Sequence, residues 1–407
     1  MPRESVSRSL RVLFVNPGRG LGGAEHSLLL LLDGLRARGV DLTLALFGDG
    51  PFRAVLESRR IPTITIDVPR PVRRVTRYGF SGGGLLMGAG LGLLSLPAVL
   101  ELATLIRRRD VDIVHTNGLK AHMLGGLAGR LARRPVVWHL RDFFPEGTAG
   151  QLLAMAARRL PALIITNSAA VAATVRRDGA RPATVPIHNP VDLERFRPGL
   201  DRARLRRELG LSNETALIGQ IAHLTPWKGH EMFLCIARTI AHELPAAHFV
   251  IVGGAIYETA GHEGYRATLE RQARELGLAD RAVFLGERQD VPEILAALDV
   301  LVHCPTSPEP FGRAVAEAMA VGTPVVAADS GGIAEIVEEG ITGRLVPTGN
   351  VDAFAAAVVE LLRDPTLRQR MGAAGRHHAE RLFHVGAHVA AVLAAYQSIM
   401  RSAVSTP

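Results

Sequence analysis

Short apolar runs bounded by glycine, proline or asparagine alternate along the chain with longer stretches of mixed polarity. Continuous apolar runs of strand length fit strands buried on both faces, and the 3.6-residue periodicity between them fits covering helices. The alternation therefore predicts an α/β protein with parallel sheets. A first strand is expected at Arg11–Asn16, then a glycine-rich turn at 18–23 and a helix over 24–38 closed by Gly39. Further strands are expected at 41–47, 61–67, 113–116, Val136–Leu140 and 163–167. A second series is expected at 216–222, His248–Val252, 282–285, Val300–His303, 324–328 and 343–346. Residues 188–198 (HNPVDLERFRP) carry two prolines and little periodicity, and are read as the interdomain linker. The organisation expected is an N-terminal domain over 1–190, a second over 191–385, and a helix over 386–407 packing back on the first. Each domain is doubly wound and Rossmann-like. The two are expected to face a central cleft, with ligands at the carboxyl ends of the strands.

Length and composition agree with this picture. A chain of 407 residues, 47% apolar, has material for two cores. Cys235 and Cys304 are far apart and in no metal-ligand spacing, which argues against a disulfide scaffold or zinc site and for a reducing, cytoplasmic compartment. No apolar run precedes Val12, so no cleavable leader is expected.

Charge adds a partner. The net +8 comes from a strongly basic first half that outweighs a mildly acidic second half. Such a half meets something anionic: phospholipid, a lipid diphosphate or nucleic acid. Nucleic acid is set aside, because the basic runs lack interleaved aromatics and no DNA- or RNA-binding signature is present. Arg70, Arg73, Arg74 and Arg77 precede an uncharged run over 82–100. That run is long enough to span a bilayer, but its glycines and Pro97 argue against spanning. A peripheral patch is expected instead, with the arginines on anionic head groups and Leu85, Leu86, Met87, Leu91, Leu93 and Leu94 below them. The competing reading is a loop and helix packed on the first domain.

Gly18, Gly20 and Gly23 spell G-x-G-x-x-G after the first strand. A dinucleotide site would also want an acidic residue closing the second strand, yet Asp49 sits between Gly48 and Gly50 in what reads as a loop. Gly22-Gly23-Ala24-Glu25 reads better as a tight loop whose bare amides can meet a phosphate or sugar hydroxyl, or as a turn alone. Asp110-Val111-Asp112 resembles a metal-holding D-x-D, but it stands at the entry of a strand, away from the ligand end, and reads as solvated strand-edge charge. The densest signal is Glu309-Pro310-Phe311-Gly312-Arg313-Ala314-Val315-Ala316-Glu317. It follows a buried strand and opens a helix whose amino end offers amides and positive dipole to a diphosphate. Arg313 and Glu317 share one helical face, and the Glu317 carboxylate has two acceptor oxygens for ribose hydroxyls. The plainer alternative is an i,i+4 surface pair, against which the apolar run 314–320 argues.

Here the chain resembles the retaining glycosyltransferases of family 4, which have the GT-B architecture. The resemblance rests on residues 309–350 (EPFGRAVAEAMAVGTPVVAADSGGIAEIVEEGITGRLVPTGN), on 283–305, on TPWKG at 225–229 and on the linker. In the first half it rests on the GGAE loop and on IVHTNG at 113–118. It implies a nucleoside-diphosphate sugar as co-substrate, a glycan or lipid-linked acceptor, retention of configuration, and no metal or other cofactor. It implies that Glu317 binds the donor ribose, that Glu309 stands beside the transferred sugar, and that the Phe311 and Gly312 amides contact sugar hydroxyls. Lys228 matches the lysine that neutralises the diphosphate, and Gly22 and Gly23 match the loop that closes over the donor. Two positions depart from the family. His223 stands where a basic residue, usually arginine, precedes that lysine; Arg141 stands where a histidine is usual, with His139 two residues earlier. Arg313 is expected to supply part of the charge that His223 lacks. Other GT-B enzymes remain as alternatives, such as a nucleotide-sugar epimerase, as does a catalytically silent partner protein. A phosphorylase would need a pyridoxal lysine, and neither Lys120 nor Lys228 has a suitable context.

Overall fold

The computed structural model of the protein describes residues 8–18, 20–74, 92–176, 182–254 and 264–404. The chain divides into two compact units, Met1–His188 with Val385–Pro407, and Asn189–His384.

The first unit is built on β1 (Arg11–Asn16), β2 (Asp41–Leu46), β3 (Thr63–Thr65), β4 (Ile113–Asn117), β5 (Val136–Leu140), β6 (Leu163–Thr166) and β7 (Ala183–Pro186). All pair in parallel, in the order β3-β2-β1-β4-β5-β6-β7. The strand direction of winding reverses between β1 and β4, so their carboxyl ends open a crevice. β3 is shorter than its apolar run because only three residues pair with β2, although Ile61 and Ile66 are also buried. The edge strand β7 was not expected; it is short, largely exposed and ends in Pro186, a residue tolerated at a sheet edge. On one face, Leu28, Leu31, Leu32 and Leu35 of the helix Gly23–Arg36 share a core with Val389, Val392 and Tyr396 of the last helix, Val385–Val404. Gly34 permits their close approach: a Cβ there would stand 2.4 Å from Cγ2 of Val389. On the other face, the helices Leu96–Arg108 and Leu119–Leu131 pack side by side over a second core.

The second unit contains β8 (Leu217–Ile221), β9 (His248–Val252), β10 (Ala282–Gly286), β11 (Val300–His303), β12 (Val325–Ala328) and β13 (Arg344–Val346), in the parallel order β10-β9-β8-β11-β12-β13. The winding reverses between β8 and β11.

The chain leaves the first unit at His188, the start of the expected interdomain segment, after which Val191 bridges to His384 and Phe196 is buried. Arg376 donates to the Phe196 carbonyl at 2.9 Å, tying the segment to the second unit. Pro97 lies in the first turn of Leu96–Arg108, where its missing N–H would have had no partner in any case. Of the membrane patch expected from the sequence, Arg77 and residues 82–91 lie outside the described residues, as does the side chain of Arg74. Among the described residues no helix is long and apolar enough to cross a membrane. The charges of Asp110 and Asp112 are not merely solvated. Arg8 and Arg134 reach them at 2.6 to 3.0 Å, and Arg11 pairs with Asp110 as well. The pair thus fastens the entry of β4 to that of β1, as Asp112 N donating to Arg11 O at 2.8 Å also does.

Candidate active site

The candidate site residues of the second unit gather where β8 and β11 lie side by side. Beyond β8 the chain passes His223 and makes a short 3-10 turn, Pro226–Lys228, ended by Gly229 in the left-handed region at φ 76°. A Cβ on Gly229 would fall 1.8 Å from the carbonyl oxygen of Cys304, beyond β11. Only glycine fits here, for both reasons. Thr306 N donates to Trp227 O at 2.9 Å, and Gln220 of β8 donates to Lys228 O at 2.8 Å. These contacts clamp the lysine turn onto the loop that carries Glu309.

That loop is braced from its other side by Ser330-Gly331-Gly332, beyond β12. Gly332 N donates to Glu309 O at 2.8 Å, and a Cβ on Gly331, whose φ is 61°, would lie 2.2 Å from the same oxygen. The backbone of Glu309 is therefore held by two glycines that nothing larger can replace.

The side chains converge accordingly. Lys228 Nζ donates to Glu309 Oε2 at 2.6 Å, with both groups largely buried. His303, the last residue of β11, places Nε2 3.2 Å from the same oxygen. The Lys228 ammonium also sits 4.1 Å from the centre of the Trp227 ring. Burial pushes the Glu309 carboxyl up, but Lys228 and His303 outweigh it and hold it down to about 2. Glu309 is thus an anion at all ordinary pH. Burial, with Lys228 as a like charge, lowers His223 to about 4 against the opposing pull of Glu309. The position at which the resemblance implies a basic residue is therefore held toward the neutral form in this chain.

Glu309 leads into Pro310, Phe311 and Gly312. Phe311 is buried edge-on to Phe383, with ring centres 5.7 Å apart. Gly312 at φ 90° is the N-cap of the helix Arg313–Val321 and provides no side-chain cap. Along this helix Val315–Val321 are all buried. Arg313 Nε donates to Glu317 Oε1 at 2.6 Å. The i,i+4 pair exists, but it is enclosed rather than on the surface. Burial raises the Glu317 carboxyl, opposed by Arg313 and Arg195. The pairing orients Glu317 and offsets part of the effect of its burial.

In the first unit, Gly22 is the N-cap of Gly23–Arg36, and Gly22 N donates to Glu25 Oε2 at 3.0 Å. Gly18, at φ 76°, donates to Asn16 Oδ1 at 2.8 Å. Asp49 pairs with Arg53 at 2.7 Å, outside β2. Arg141, just beyond β5, donates to Asn117 Oδ1 at 2.7 Å and accepts from Asn167 Nδ2 through its carbonyl at 3.0 Å. Its charge is thereby fixed at the carboxyl end of the sheet. His139 is placed differently. Its ring is fully buried, with Nδ1 3.2 Å from His115 Nε2, and His115 Nδ1 lies 2.7 Å from the Tyr396 hydroxyl. It belongs to the packing beneath the last helix, and Arg141 is the group of this pair nearer the strand ends.

His303 and Gln220 were not singled out in the sequence, and Gly229 and Gly331-Gly332 stood inside the quoted motifs without a role. For the pair a signal existed, since paired glycines after a buried strand mark a close backbone approach.

Comparison with known proteins matches the two units to two families. Residues 201–378 match the profile described as Glycosyl transferases group 1, and residues 21–195 that of Glycosyltransferase Family 4. The chain belongs to the family 4-type glycosyltransferases. Within the family it is similar to the lipopolysaccharide core biosynthesis mannosyltransferase LpsB of Rhizobium meliloti (strain 1021), 30% identical over 58% of this chain and 68% of that protein. It is 31% identical to the D-inositol 3-phosphate glycosyltransferase of Segniliparus rotundus over 74% of this chain and 64% of the relative. The match thus spans less than two thirds of that relative's length. Among solved structures, Anabaena Alr3699/HepE in complex with UDP and glucose is 30% identical, with a TM-score of 0.82 over 96% of this chain and 100% of that one. The likeness holds across the GT-B fold as a whole.

Proposed function

We propose that the protein transfers a hexosyl group from a nucleoside-diphosphate sugar to a glycan or lipid-linked acceptor, with retention of configuration and without a metal. The observation that carries this reading is the cluster of Lys228, Glu309 and His303 beside the amino end of Arg313–Val321. When the glycosidic bond to the diphosphate breaks, negative charge grows on phosphate and positive charge spreads over the sugar ring. A fixed ammonium and the positive end of a helix stabilise the first. An ionised carboxylate at Glu309 faces the second. Glu317 has the acceptor oxygens for a ribose, and Arg313 keeps it in place. Alr3699/HepE was crystallised with UDP-glucose, and a mycobacterial relative is named for its dependence on GDP-mannose, so a nucleoside-diphosphate hexose is the donor class. In this reading Lys228 takes the role that a divalent cation would have.

The test begins with thermal stabilisation by UDP-glucose and GDP-mannose, and continues with transfer or slow donor hydrolysis in excess chelator. Chelator-resistant turnover and a product of unchanged anomeric configuration by NMR are expected. Inversion, or a loss of activity restored by manganese, overturns the corresponding part. Donor binding with neither transfer nor hydrolysis favours the silent-partner reading, to which the neutral His223 lends weight.

A further inference from the structure

We infer that Arg195 is a positioning residue for the nucleoside half of the donor: it fixes the loop that follows β10 against the helix that bears Glu317. The inference rests on the donor reading proposed above. Nothing in the sequence marks Arg195, because the carbonyl it meets, Gln289 O, is 94 positions away.

The segment that carries Arg195 is rooted on that helix. Asp192 Oδ1 accepts from Glu194 N at 3.2 Å and from Arg195 N at 3.1 Å, and Phe196 N donates to Asp192 O at 2.8 Å. An aspartate that accepts from main-chain amides just ahead of it closes a tight turn. The turn delivers Phe196 into the buried cluster that contains Val315, Ala316 and Met319 of the helix Arg313–Val321. Arg376 fastens the two together, donating to Phe196 O at 2.9 Å and to Ala320 O at 2.8 Å. From this base Arg195 Nη2 donates to Gln289 O at 2.8 Å.

The loop after β10 is held at two adjacent residues. Gly286 turns it at φ 67°. Arg288 pairs with Glu208 at 2.6 Å and with Asp290 at 2.8 Å, and Asp290 also has Arg204 at 3.8 Å. Asp290 is thereby committed, and Arg195 takes the carbonyl between Arg288 and Asp290. A carbonyl contact leaves the charge of Arg195 uncancelled, where a carboxylate would not. Of its neighbours in the segment, Asp192 is turned to the main chain, and Glu194 and Arg197 are exposed with opposite charges. Glu317 feels that charge: Arg313 and then Arg195 oppose the burial that raises its carboxyl. Arg313 does so by direct contact, and Arg195 by its place between loop and helix. The competing account is a surface arginine that only tidies a loop end.

The test is calorimetric titration of the full chain with UDP and with GDP, beside steady-state rates on the nucleotide sugar of the base that binds. Arg195→Gln should weaken nucleotide binding and raise donor KM by about fivefold. It should change kcat by less than about twofold and leave the melting temperature where it is. Arg195→Lys keeps the charge and a donor, and should recover most of the loss. Because Arg195 acts on the Glu317 carboxylate, its effect should shrink in a Glu317→Gln background, whereas a loop tie of separate origin would cost the same in both. Should Glu317→Gln bind no nucleotide, Arg195→Gln and Arg195→Lys decide through the split between KM and kcat. Wild-type affinity in Arg195→Gln, an undiminished loss in the double variant, or a fall in kcat at constant KM would overturn the inference alone. A wild type that binds neither UDP nor GDP would remove the donor reading, and this inference with it.

Discussion

Lys228 Nζ lies 2.6 Å from Glu309 Oε2, and the two residues come from loops 81 positions apart. A buried ion pair adds little to stability, because desolvating both charges offsets their attraction. Under the proposed function, its placement at a strand crevice would let an arriving diphosphate exchange one anion on Lys228 for another. Glu309→Gln should therefore tighten the binding of a nucleoside diphosphate while reducing turnover by about a hundredfold or more, the scale of losing one electrostatic group at a reacting centre. Lys228→Ala should weaken both. Calorimetric titration with UDP and GDP, beside steady-state rates, checks the split. Equal loss of diphosphate affinity in both variants would count against the exchange.

Glu317 should be a residue that costs stability. Burial raises its carboxyl, and a raised carboxyl favours the fold most at low pH and less as pH rises through its folded value. Glu317→Gln keeps an acceptor for Arg313 and removes the buried charge. Its melting temperature at neutral pH should equal or exceed that of the wild type, while KM for the donor rises tenfold or more. Arg313→Ala strands Glu317 instead and should lower both the melting temperature and kcat/KM. A drop in melting temperature for Glu317→Gln would show that the pair is structural.

Gly229→Ala tests the clamp between the two loops. The added Cβ would stand 1.8 Å from Cys304 O, in a backbone conformation that disfavours side chains. A loss of about 2–4 kcal/mol is expected. For a unit of this size that is a fall of about 10 °C in Tm. Lys228 would be displaced with it, so donor-induced stabilisation should disappear. A variant that melts and binds donor like wild type would remove the clamp from the account.

The buried histidines set the acid limit of the first unit. Burial lowers His122 and His388 to about 3, and His115 and His139 fall well below their ordinary value. The unfolded chain takes up protons near pH 6.5, and the folded one does so far lower. Stability is thus complete above that value and is lost as pH falls below it. His122→Gln can keep the 2.7 Å contact to Thr116. It should remove about 1.4 kcal/mol per pH unit from the slope of stability below pH ~6. Urea midpoints across that range measure it, and an unchanged slope would show that His122 does not titrate on unfolding.

Most strands were legible because a parallel strand buried on both faces is apolar along its whole length. Arg11–Asn16, Val136–Leu140, His248–Val252 and Val300–His303 coincide with their expected limits. β7 was not legible, since an exposed edge strand has no such run. Of the candidate site, Glu309, Arg313 and Glu317 stood out in one local motif, and Lys228 came through the family resemblance. His303 did neither. A histidine at the end of a strand carries no mark of function until the carboxylate six residues later folds back onto it.

The sequence by itself determined the two parallel-sheet units, the helix that follows Gly312 and the residue types able to meet a diphosphate sugar, because these depend on periodicity and local spacing. Tertiary structure alone decided the pairing of Lys228 with Glu309, the enclosure of His139 and the tying of the 188–198 segment to the second unit. Each of those depends on which strand lies beside which. That order follows from burying whole faces of helices and sheets at once, and no single stretch of the chain encodes it.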